Sequence, residues 1–295
     1  MLRVFFIYSK LTQQIKIVKI YWQKTINLCY TFCQGENMNK IVVITGAKSG
    51  LGLALKQRYE NSGDTVICLD LSVEQNDKTN YKCNVADENQ VKQIFEDIKQ
   101  NYGHIDVLIN CAGYAVFGAT ELVESQRVKN LFDVNYFGTL YTCQCAIDMM
   151  PKHSHIINIS SACALFALPF RTHYCASKAG VSMLSYGLRM ELKDADINVT
   201  CICPGDIKTN FSKNRDKNFA TNQRYGDKVK KSAEQIDTRE PKRMSVDYAS
   251  KKVYKICNKK KTKPMYVIGK QYKFLNFIQK LVPLSWILFF IRKYF

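Results

Sequence analysis

The chain has 295 residues, of which 46% are hydrophobic and 23% are charged. These fractions are typical of globular domains and exclude whole-chain disorder, collagen-like repeats and small disulfide scaffolds. No run of about 18 uncharged apolar residues is present, which argues against a standard membrane-spanning helix. The 43 basic residues exceed the 25 acidic ones by 18, and the last 88 residues hold 23 of the basic and six of the acidic residues. Such an excess suits an anionic membrane surface or nucleic acid, and the sign alone does not choose between them.

Residues 1–37 differ in composition from the chain that follows, with five basic residues and one acidic residue. One interpretation is a basic amphipathic membrane anchor. The other is that translation starts at Met38 and that the preceding codons are not coding. We favour the second, because Met38 leads directly into a predicted strand.

From Lys40 onward, short apolar β-branched runs alternate with segments of helical periodicity. Strands are predicted at Ile41–Thr45, Thr65–Leu69, Asp106–Asn110, His155–Ser160, Ile197–Cys203 and Met265–Ile268. Helices are predicted at Gly50–Asn61, Glu88–Asn101, Val128–Met150, Tyr174–Leu192 and Val246–Cys257. Strands this apolar, separated by helices, predict an α/β fold with a doubly wound parallel sheet of the Rossmann type. Residues 208–243 are polar, basic and without a period, and are predicted to form a mobile loop with short helices.

Twelve cysteines are present, and none lies in a Cys-x-x-Cys pair. The pairs Cys143/Cys145 and Cys201/Cys203 have a spacing that suits neither a zinc site nor a disulfide framework. Several other cysteines lie in apolar runs, where a free thiol behaves as a small hydrophobic group. We therefore expect no metal site and a reducing, cytoplasmic compartment.

A glycine-rich loop joins the first predicted strand to the first predicted helix. It reads Thr45-Gly46-Ala47-Lys48-Ser49-Gly50-Leu51-Gly52. Glycine permits a tight turn and a close backbone approach to a pyrophosphate, and a helix N-terminus adds N–H groups and partial positive charge. Because the loop lies between a strand and a helix, it predicts a dinucleotide site. Its spacing, Thr-Gly-x-x-x-Gly-x-Gly, resembles that of the short-chain dehydrogenase/reductase family.

Asp70 ends the second predicted strand, about 20 residues beyond this loop. A carboxylate at that position accepts hydrogen bonds from the ribose hydroxyls of an adenosine and repels a 2′-phosphate, which favours NAD over NADP. Lys48 weakens this conclusion, because an ammonium group attracts the same phosphate. NAD is therefore the favoured cofactor and NADP the alternative.

Three further segments resemble the cofactor site of this family. The segment around Asn84 and Val85 usually has Asp where this chain has Asn84, and Asn110-Cys111-Ala112-Gly113 has Cys111 in place of a second Asn. The third segment runs from Pro204 to Thr209. The resemblance implies that the cofactor is contacted by Gly46, Lys48, Ser49, Gly50, Leu51, Gly52, Asp70, Asn84, Val85, Asn110, Ala112, Gly113, Tyr174, Lys178, Pro204, Gly205, Ile207 and Thr209, with Ile207 and Thr209 at the nicotinamide carboxamide.

Tyr174 and Lys178 lie four residues apart and so share one helix face. An adjacent ammonium stabilises a tyrosinate and lowers a phenol pKa that is about 10 when unperturbed, so the tyrosine becomes a usable acid/base near neutral pH. Ser161 lies 13 residues upstream of Tyr174, and Asn135 lies in the long predicted helix. This order resembles the family's Asn-Ser-Tyr-Lys set. The resemblance implies that Tyr174 transfers the proton and that Lys178 holds the nicotinamide ribose. It also implies that Asn135 anchors a relay water. Ser161, with Ser160 as the alternative, would orient the substrate oxygen.

The resemblance is strong over residues 39–207 and weak over 208–270. It implies a catalytic domain at 38–270, with the substrate loop at about 208–243, and a basic, aromatic tail at 271–295. Leu168-Pro169-Phe170 together with Tyr174 and Lys178 looks most like the hydroxysteroid and retinol dehydrogenase branch, which implies a lipophilic alcohol or ketone (steroid-, retinoid- or acyl-like) as substrate. Two alternatives stay open: an NADPH-dependent 3-oxoacyl reductase, and a non-catalytic dinucleotide sensor at a membrane surface.

The segment Lys270–Phe295 is rich in aromatic and apolar residues, and it has two interpretations. It is either an amphipathic segment in peripheral contact with an anionic membrane, or a closing element over the substrate site or a dimer contact. Leu284–Ile291 is too short to span a bilayer, and Pro283 breaks a longer helix. Nucleic acid is not expected, since no recognised binding module accompanies the charge. The resemblance also implies a homodimer or homotetramer that pairs through Val128–Met150 and Tyr174–Leu192.

Overall fold

A computed structural model describes residues 39–75, 78–209, 211, 216–238 and 243–294. The predicted extension at 1–37 lies outside these ranges, as do parts of the predicted substrate loop. Within them the strands are β1 (Ile41–Thr45), β2 (Thr65–Asp70), β3 (Asn80–Lys82), β4 (Val107–Asn110), β5 (Val116–Phe117), β6 (His155–Ile159), β7 (Asn198–Pro204), β8 (Asp216–Lys217) and β9 (Met265–Ile268). The helices are α1 (Gly50–Glu60), α2 (Glu88–Tyr102), α3 (Ser125–Phe132), α4 (Gly138–Ile147), α5 (Thr172–Glu191), α6 (Lys228–Thr238), α7 (Val246–Cys257), α8 (Lys270–Ile278) and α9 (Leu284–Tyr294).

Seven strands form one sheet in the order β3-β2-β1-β4-β6-β7-β9, and every neighbouring pair is parallel. The chain winds outward from β1 in both directions, because β1 pairs with β2 on one side and with β4 on the other. In doubly wound sheets this reversal opens a crevice at the carboxyl ends of the strands, where ligands bind. The doubly wound parallel sheet predicted from the sequence is therefore confirmed.

Apolar side chains alternate along β1 and fill two cores, one on each face of the sheet. Val43 packs with the α2 residues Val91 and Ile98, and Ile44 packs on the other face with Leu55 of α1. All five side chains are fully buried, and burial of an aliphatic side chain of this size contributes about 1.5–3 kcal/mol. The two cores hold the strand ends rigidly, and those ends carry the site.

The prediction of one continuous α-helix at Val128–Met150 is wrong. The α-helical turns begin earlier, at Ser125, and stop at Phe132; a π-helical turn spans Asp133–Phe137, and α4 then continues to Ile147. The Thr139 hydroxyl donates a 2.9 Å hydrogen bond to the backbone carbonyl of Asn135 within this turn. The wider turn places the Asn135 side chain in the interior, where it is fully buried, and π turns are frequent at functional sites.

The other predicted strands and helices are confirmed, with ends that differ by two residues or fewer. Strand β3 was not predicted, since its three residues carry a single buried apolar side chain. The tail forms two helices, α8 and α9, on either side of Pro283. No helix in the described ranges is both long and apolar enough to cross a membrane.

Candidate active site

The glycine-rich loop turns tightly at the carboxyl end of β1. Gly46 has a φ of 66°, and a Cβ at this position would lie 2.9 Å from the backbone nitrogen of Ala112. A Cβ on Gly52 would lie 2.1 Å from the Gly46 carbonyl oxygen. Three stretches of backbone therefore meet here without side chains between them, which fits a cradle for a cofactor pyrophosphate.

Ser49 is the N-cap residue of α1, and its side chain makes no capping hydrogen bond. The N–H groups of the first helical turn consequently keep the capacity to bind an anion at the positive end of the helix. Gly50, which also has a positive φ of 52°, faces the Thr209 side chain across the crevice.

Thr45, the last residue of β1, ties the loop to the neighbouring strand. Its hydroxyl accepts hydrogen bonds of 3.1 Å from the backbone N–H groups of both Cys111 and Ala112. These bonds fix the segment that follows β4 beside the glycine loop. Thr45 belongs to the loop motif, but the motif alone does not predict this role.

A cavity of about 460 Å³ runs from the glycine loop to Tyr174. All the residues predicted to bind cofactor line it except Lys48 and Asn110. Lys48 and Asn110 lie elsewhere, and their predicted cofactor contacts stay predictions. The Asn110 amide donates to Asn158 Oδ1 at 2.9 Å and accepts from the Thr142 hydroxyl at 2.8 Å, so it points into the core rather than into the cavity. Lys48 borders a separate cavity beside Ser72.

The Asp70 carboxylate lies at the cavity wall and is held from two sides. Its Oδ2 accepts from the backbone N–H of Lys48 at 3.0 Å, and its Oδ1 accepts from the N–H and the hydroxyl of Ser72. Lys48 thus contributes its backbone to the site. A carboxylate fixed beside the glycine loop presents acceptors to ribose hydroxyls.

Tyr174, Lys178 and Ser161 line the part of the cavity away from the glycine loop. Each of these residues is more than nine-tenths buried. Helix α5 carries the tyrosine and the lysine one turn apart. The Ser161 hydroxyl accepts from the N–H of Cys163 at 3.1 Å, which holds it at the start of a short 3₁₀ turn. The neighbouring Ser160 hydroxyl instead donates to the Lys178 carbonyl at 2.7 Å, so it is engaged with the helix.

The Lys178 ammonium is buried, with 4% of the residue exposed, and it donates to the Ile159 carbonyl at 3.0 Å. Burial lowers the pKa of this lysine from 10.5 to about 8, because removal from water penalises the charged form. Its neighbour is Gly113, where a Cβ would lie 3.2 Å from Lys178 Nζ and 2.8 Å from Asn135 Oδ1. The side chains of Asn135 and Lys178 therefore both lie against Gly113.

The Asn135 side chain is fixed by three hydrogen bonds. Its amide nitrogen donates to the Tyr114 carbonyl and to the Ser177 hydroxyl, and its oxygen accepts from the Tyr114 N–H, each at 3.0 Å. These bonds lock the π turn against α5 and against the segment after β4. The four residues of the predicted catalytic set thus occupy one region of the molecule.

Two aromatic residues of the site were missed in the sequence analysis. The Tyr272 hydroxyl, from α8, donates to Asp206 at 2.9 Å, and its ring covers Gly205 so closely that a Cβ there would lie 2.0 Å from ring atoms. Phe211 lines the cavity with its ring centroid 6.1 Å from that of Tyr174. Neither residue belongs to a motif, and both lie where the sequence has no strong period.

Fold and site together define a nucleotide-dependent oxidoreductase built on a doubly wound sheet. The sequence model described as short chain dehydrogenase matches residues 40–220. The chain belongs to the short-chain dehydrogenase/reductase family, as its motifs indicated, and is an NAD(P)-dependent oxidoreductase.

Three curated relatives show the range of this similarity. A probable short-chain type dehydrogenase/reductase, VdlC, of Helicobacter pylori is 31% identical and covers 83% of this chain and 94% of its own length. A 3-oxoacyl-[acyl-carrier-protein] reductase, FabG, of Thermotoga maritima is 33% identical over 58% of this chain and 75% of its own. A 3-ketodihydrosphingosine reductase of Bacteroides thetaiotaomicron is 32% identical over 68% of this chain and 77% of its own.

Solved structures share the same fold at lower identity. A short-chain dehydrogenase from Streptomyces avermitilis has a TM-score of 0.72 at 24% identity and covers 83% of this chain and 93% of its own. A family member from Burkholderia phymatum in complex with NAD has a TM-score of 0.70 at 18% identity, covering 81% and 92%. ElxO with NADP bound has a TM-score of 0.65 at 24% identity, covering 80% and 100%. The fold therefore accommodates either nicotinamide dinucleotide.

Proposed function

We propose that this enzyme transfers a hydride between NAD and a lipophilic alcohol or ketone, with Tyr174 as the general acid/base. The observation that carries the proposal is the single cavity, which joins the glycine cradle at one end to Tyr174, Lys178 and Ser161 at the other. A reactive nicotinamide ring has to reach the second end while its pyrophosphate lies at the first. A continuous cavity that contains both groups of residues supports that arrangement.

The side chains divide the chemistry among them. A bound nicotinamide cofactor would supply or accept the hydride, held by the glycine cradle, Asp70 and Lys178. Tyr174 gives a proton to the substrate oxygen in reduction and takes it back in oxidation. Ser161 orients that oxygen by a hydrogen bond. Lys178 favours the ionised tyrosine electrostatically, and Asn135 anchors the proton relay beside the lysine ammonium.

The lipophilic substrate class is supported by the walls around Tyr174. Phe211, Val116, Tyr114 and Cys163 line the cavity with largely apolar surface, to which Arg171 and Asp206 add two charged groups. Apolar walls with few convergent polar groups are typical of sites for apolar molecules. A relative is named 3-ketodihydrosphingosine reductase, and this name is consistent with a ketone substrate.

NAD is the proposed cofactor, because Asp70 presents a fixed carboxylate where a 2′-phosphate would lie. The matched test is Asp70→Asn, which keeps the shape and removes the charge. We expect kcat/KM with NADPH, relative to NADH, to rise at least about tenfold, which corresponds to 1.4 kcal/mol of relieved repulsion. A wild-type protein that prefers NADPH would contradict the assignment.

A second candidate, a 3-oxoacyl reductase, is favoured by the relative named FabG. The deciding experiment offers the purified protein NADH or NADPH with a steroid ketone, retinal, an acyl thioester and a simple ketone, and follows the nicotinamide absorbance. We expect consumption with NADH and the lipophilic carbonyls. Consumption confined to NADPH and the acyl thioester would establish the second candidate instead.

The role of Tyr174 is tested by Tyr174→Phe, with Tyr186→Phe as the control. Tyr186 lies on the same helix, outside the cavity, and donates to the Met265 sulfur. Loss of the proton donor is expected to lower kcat about 10²–10⁴-fold, whereas the control keeps its activity. If Tyr174→Phe turns over normally, the mechanism is wrong; if the wild type binds cofactor and turns over nothing, a dinucleotide sensor is the better description.

We also propose a homodimer or homotetramer that pairs through α4 and α5. Met183 and Met190 on α5 are 69% and 74% exposed, and Phe137 beside α4 is partly exposed. Apolar side chains this exposed on packed helices are typical of protein interfaces. Sedimentation equilibrium measures the assembly directly, and Met183→Ser with Met190→Ser is expected to shift it toward the monomer.

A further inference from the structure

The two tail helices expose an unusual amount of aromatic and apolar surface. Seven of these side chains, here called the tail surface, are each at least 59% exposed. They are Phe274, Phe277, Leu281, Leu284, Trp286, Phe289 and Phe290. Single exposed apolar residues need no explanation, but a contiguous patch of this kind marks an interaction site.

The two faces of α9 differ in their surroundings. Leu288, Ile291 and Arg292 border a cavity of about 480 Å³ together with the segment Cys163–Pro169 and α5. Trp286, Phe289 and Phe290 recur at helical spacing and so share the opposite face of α9. One face of the helix therefore borders the enzyme, while the aromatic face is directed away from it.

Charge identifies what fits the tail surface. Residues 270–294 contain five basic residues and no acidic residue. Lys270, Lys273 and Lys280 accompany α8, and Lys293 lies at the end of α9, next to Arg292, which borders the cavity on the enzyme-facing side. A second copy of the same surface would bring these like charges together, whereas an anionic bilayer offers complementary charge and an apolar phase for the rings.

We propose that α8 and α9 dock this protein on the surface of an anionic lipid bilayer. The aromatic side chains enter the boundary between headgroups and acyl chains, where Trp and Phe are favoured, and the basic residues contact lipid phosphates and carboxylates. The helices lie on the bilayer and do not cross it.

The position of α9 gives this docking a consequence for catalysis. Cys163 lines both the cavity under α9 and the main cavity that contains Tyr174. An apolar substrate leaving the bilayer beside α9 would therefore meet the enzyme within the segment that follows the catalytic serine. This step rests on the proposed function, whereas docking itself does not.

Docking is tested on the full chain by flotation with vesicles of phosphatidylcholine, alone or mixed with phosphatidylserine. We expect at least tenfold more bound protein on the mixed vesicles at low salt, and a loss of that difference at high salt. The variant Trp286→Ser/Phe289→Ser/Phe290→Ser is expected to lose binding. Tyr248→Ser removes an exposed aromatic side chain from α7, outside the tail surface and outside the proposed oligomer interface, and is expected to keep it.

Insertion is read from tryptophan fluorescence in a Trp22→Phe variant, where Trp286 is the remaining tryptophan of the chain. Mixed vesicles are expected to shift its emission to the blue. Equal binding to both vesicle types would overturn the charge argument. Absence of binding, together with a mass that halves in the triple variant, would assign the tail surface to self-association.

Activity toward a water-soluble ketone keeps the two proposals separate. The triple variant is expected to retain that activity, which shows that it is folded, and to lose activity toward a ketone delivered in vesicles. Failure of the wild type on every ketone, with docking intact, would reject the proposed function and leave the docking surface standing.

Discussion

Replacing Lys178 with Met removes a buried positive charge that lowers the free energy of unfolding. Lowering a lysine pKa from 10.5 to about 8 corresponds to about 3 kcal/mol of lost stability at neutral pH, at roughly 1.4 kcal/mol per pK unit. Met also leaves the Ile159 carbonyl without its 3.0 Å donor, which costs about 1 kcal/mol. The variant is therefore expected to be about 2 kcal/mol more stable at pH 7, or to melt roughly 4–8 °C higher.

The sign of the pH dependence follows from the direction of the shift. Because the pKa in the folded state lies below that in the unfolded state, the cost is fully present below pH 8 and fades as the pH rises toward 10.5. The stability gain of Lys178→Met should therefore shrink between pH 8 and pH 10.5. Meanwhile kcat/KM should fall at least about 10²-fold, since the partner of the acid/base is gone.

Urea unfolding followed by circular dichroism, at pH 7 and at pH 10, measures this gain. Lys251→Met changes an exposed lysine on α7 and serves as the control, with no expected change at either pH. A Lys178→Met protein that is destabilised at pH 7, or whose stability difference is the same at both pH values, would refute the buried-charge reasoning.

Three further predictions concern other parts of the chain. Burial lowers the pKa of His155 to about 4, so the free energy of unfolding should fall by about 3 kcal/mol as the pH drops from 6.5 toward 4. Urea unfolding of His155→Phe at both pH values should show most of this fall removed, and a fall as large as that of the wild type would contradict the prediction. The pKa of the Cys163 thiol is lowered because the Cys175 thiol donates a hydrogen bond to it. Iodoacetamide at pH 7 should therefore label Cys163 faster than the other cysteines of the described residues, as followed by peptide mass spectrometry. Equal labelling rates would contradict this prediction. Gly205→Ala places a methyl group 2.0 Å from the Tyr272 ring, so KM for the cofactor should rise several-fold. Adding Tyr272→Ala should partly restore it, and an equal KM in the single and double variants would contradict the role of this contact.

The glycine loop and the Tyr174–Lys178 pair were predictable because both are local. A residue spacing within one loop or one helix turn specifies the backbone geometry directly, so the sequence analysis could place Gly46, Gly52, Tyr174 and Lys178. It also found the fold, since the apolar period of each strand and helix determines which face is buried.

Side-chain direction and long-range contacts were harder to predict. The Asn110 motif located the backbone correctly, but Asn158 and Thr142 hold its amide in the core. Tyr272 reaches Asp206 across 66 positions of sequence, and no local pattern records such a contact. The π turn at Asn135 adds one residue to a helical turn, which leaves the apolar period of the surrounding helix nearly unchanged.

The region around Gly113 shows why the chain tolerates a costly lysine. A solvated ammonium would remain charged to a higher pH, but its field on a neighbouring phenol would be weakened by water. Burial lowers the local dielectric, so the same charge acts more strongly on Tyr174 across one helical turn. Any side chain at residue 113 would collide with Asn135 or crowd Lys178. Glycine at this position therefore lets Lys178, Asn135 and the backbone after β4 pack closely together, away from water. The stability lost at Lys178 and the catalytic chemistry proposed for Tyr174 thus have the same physical origin.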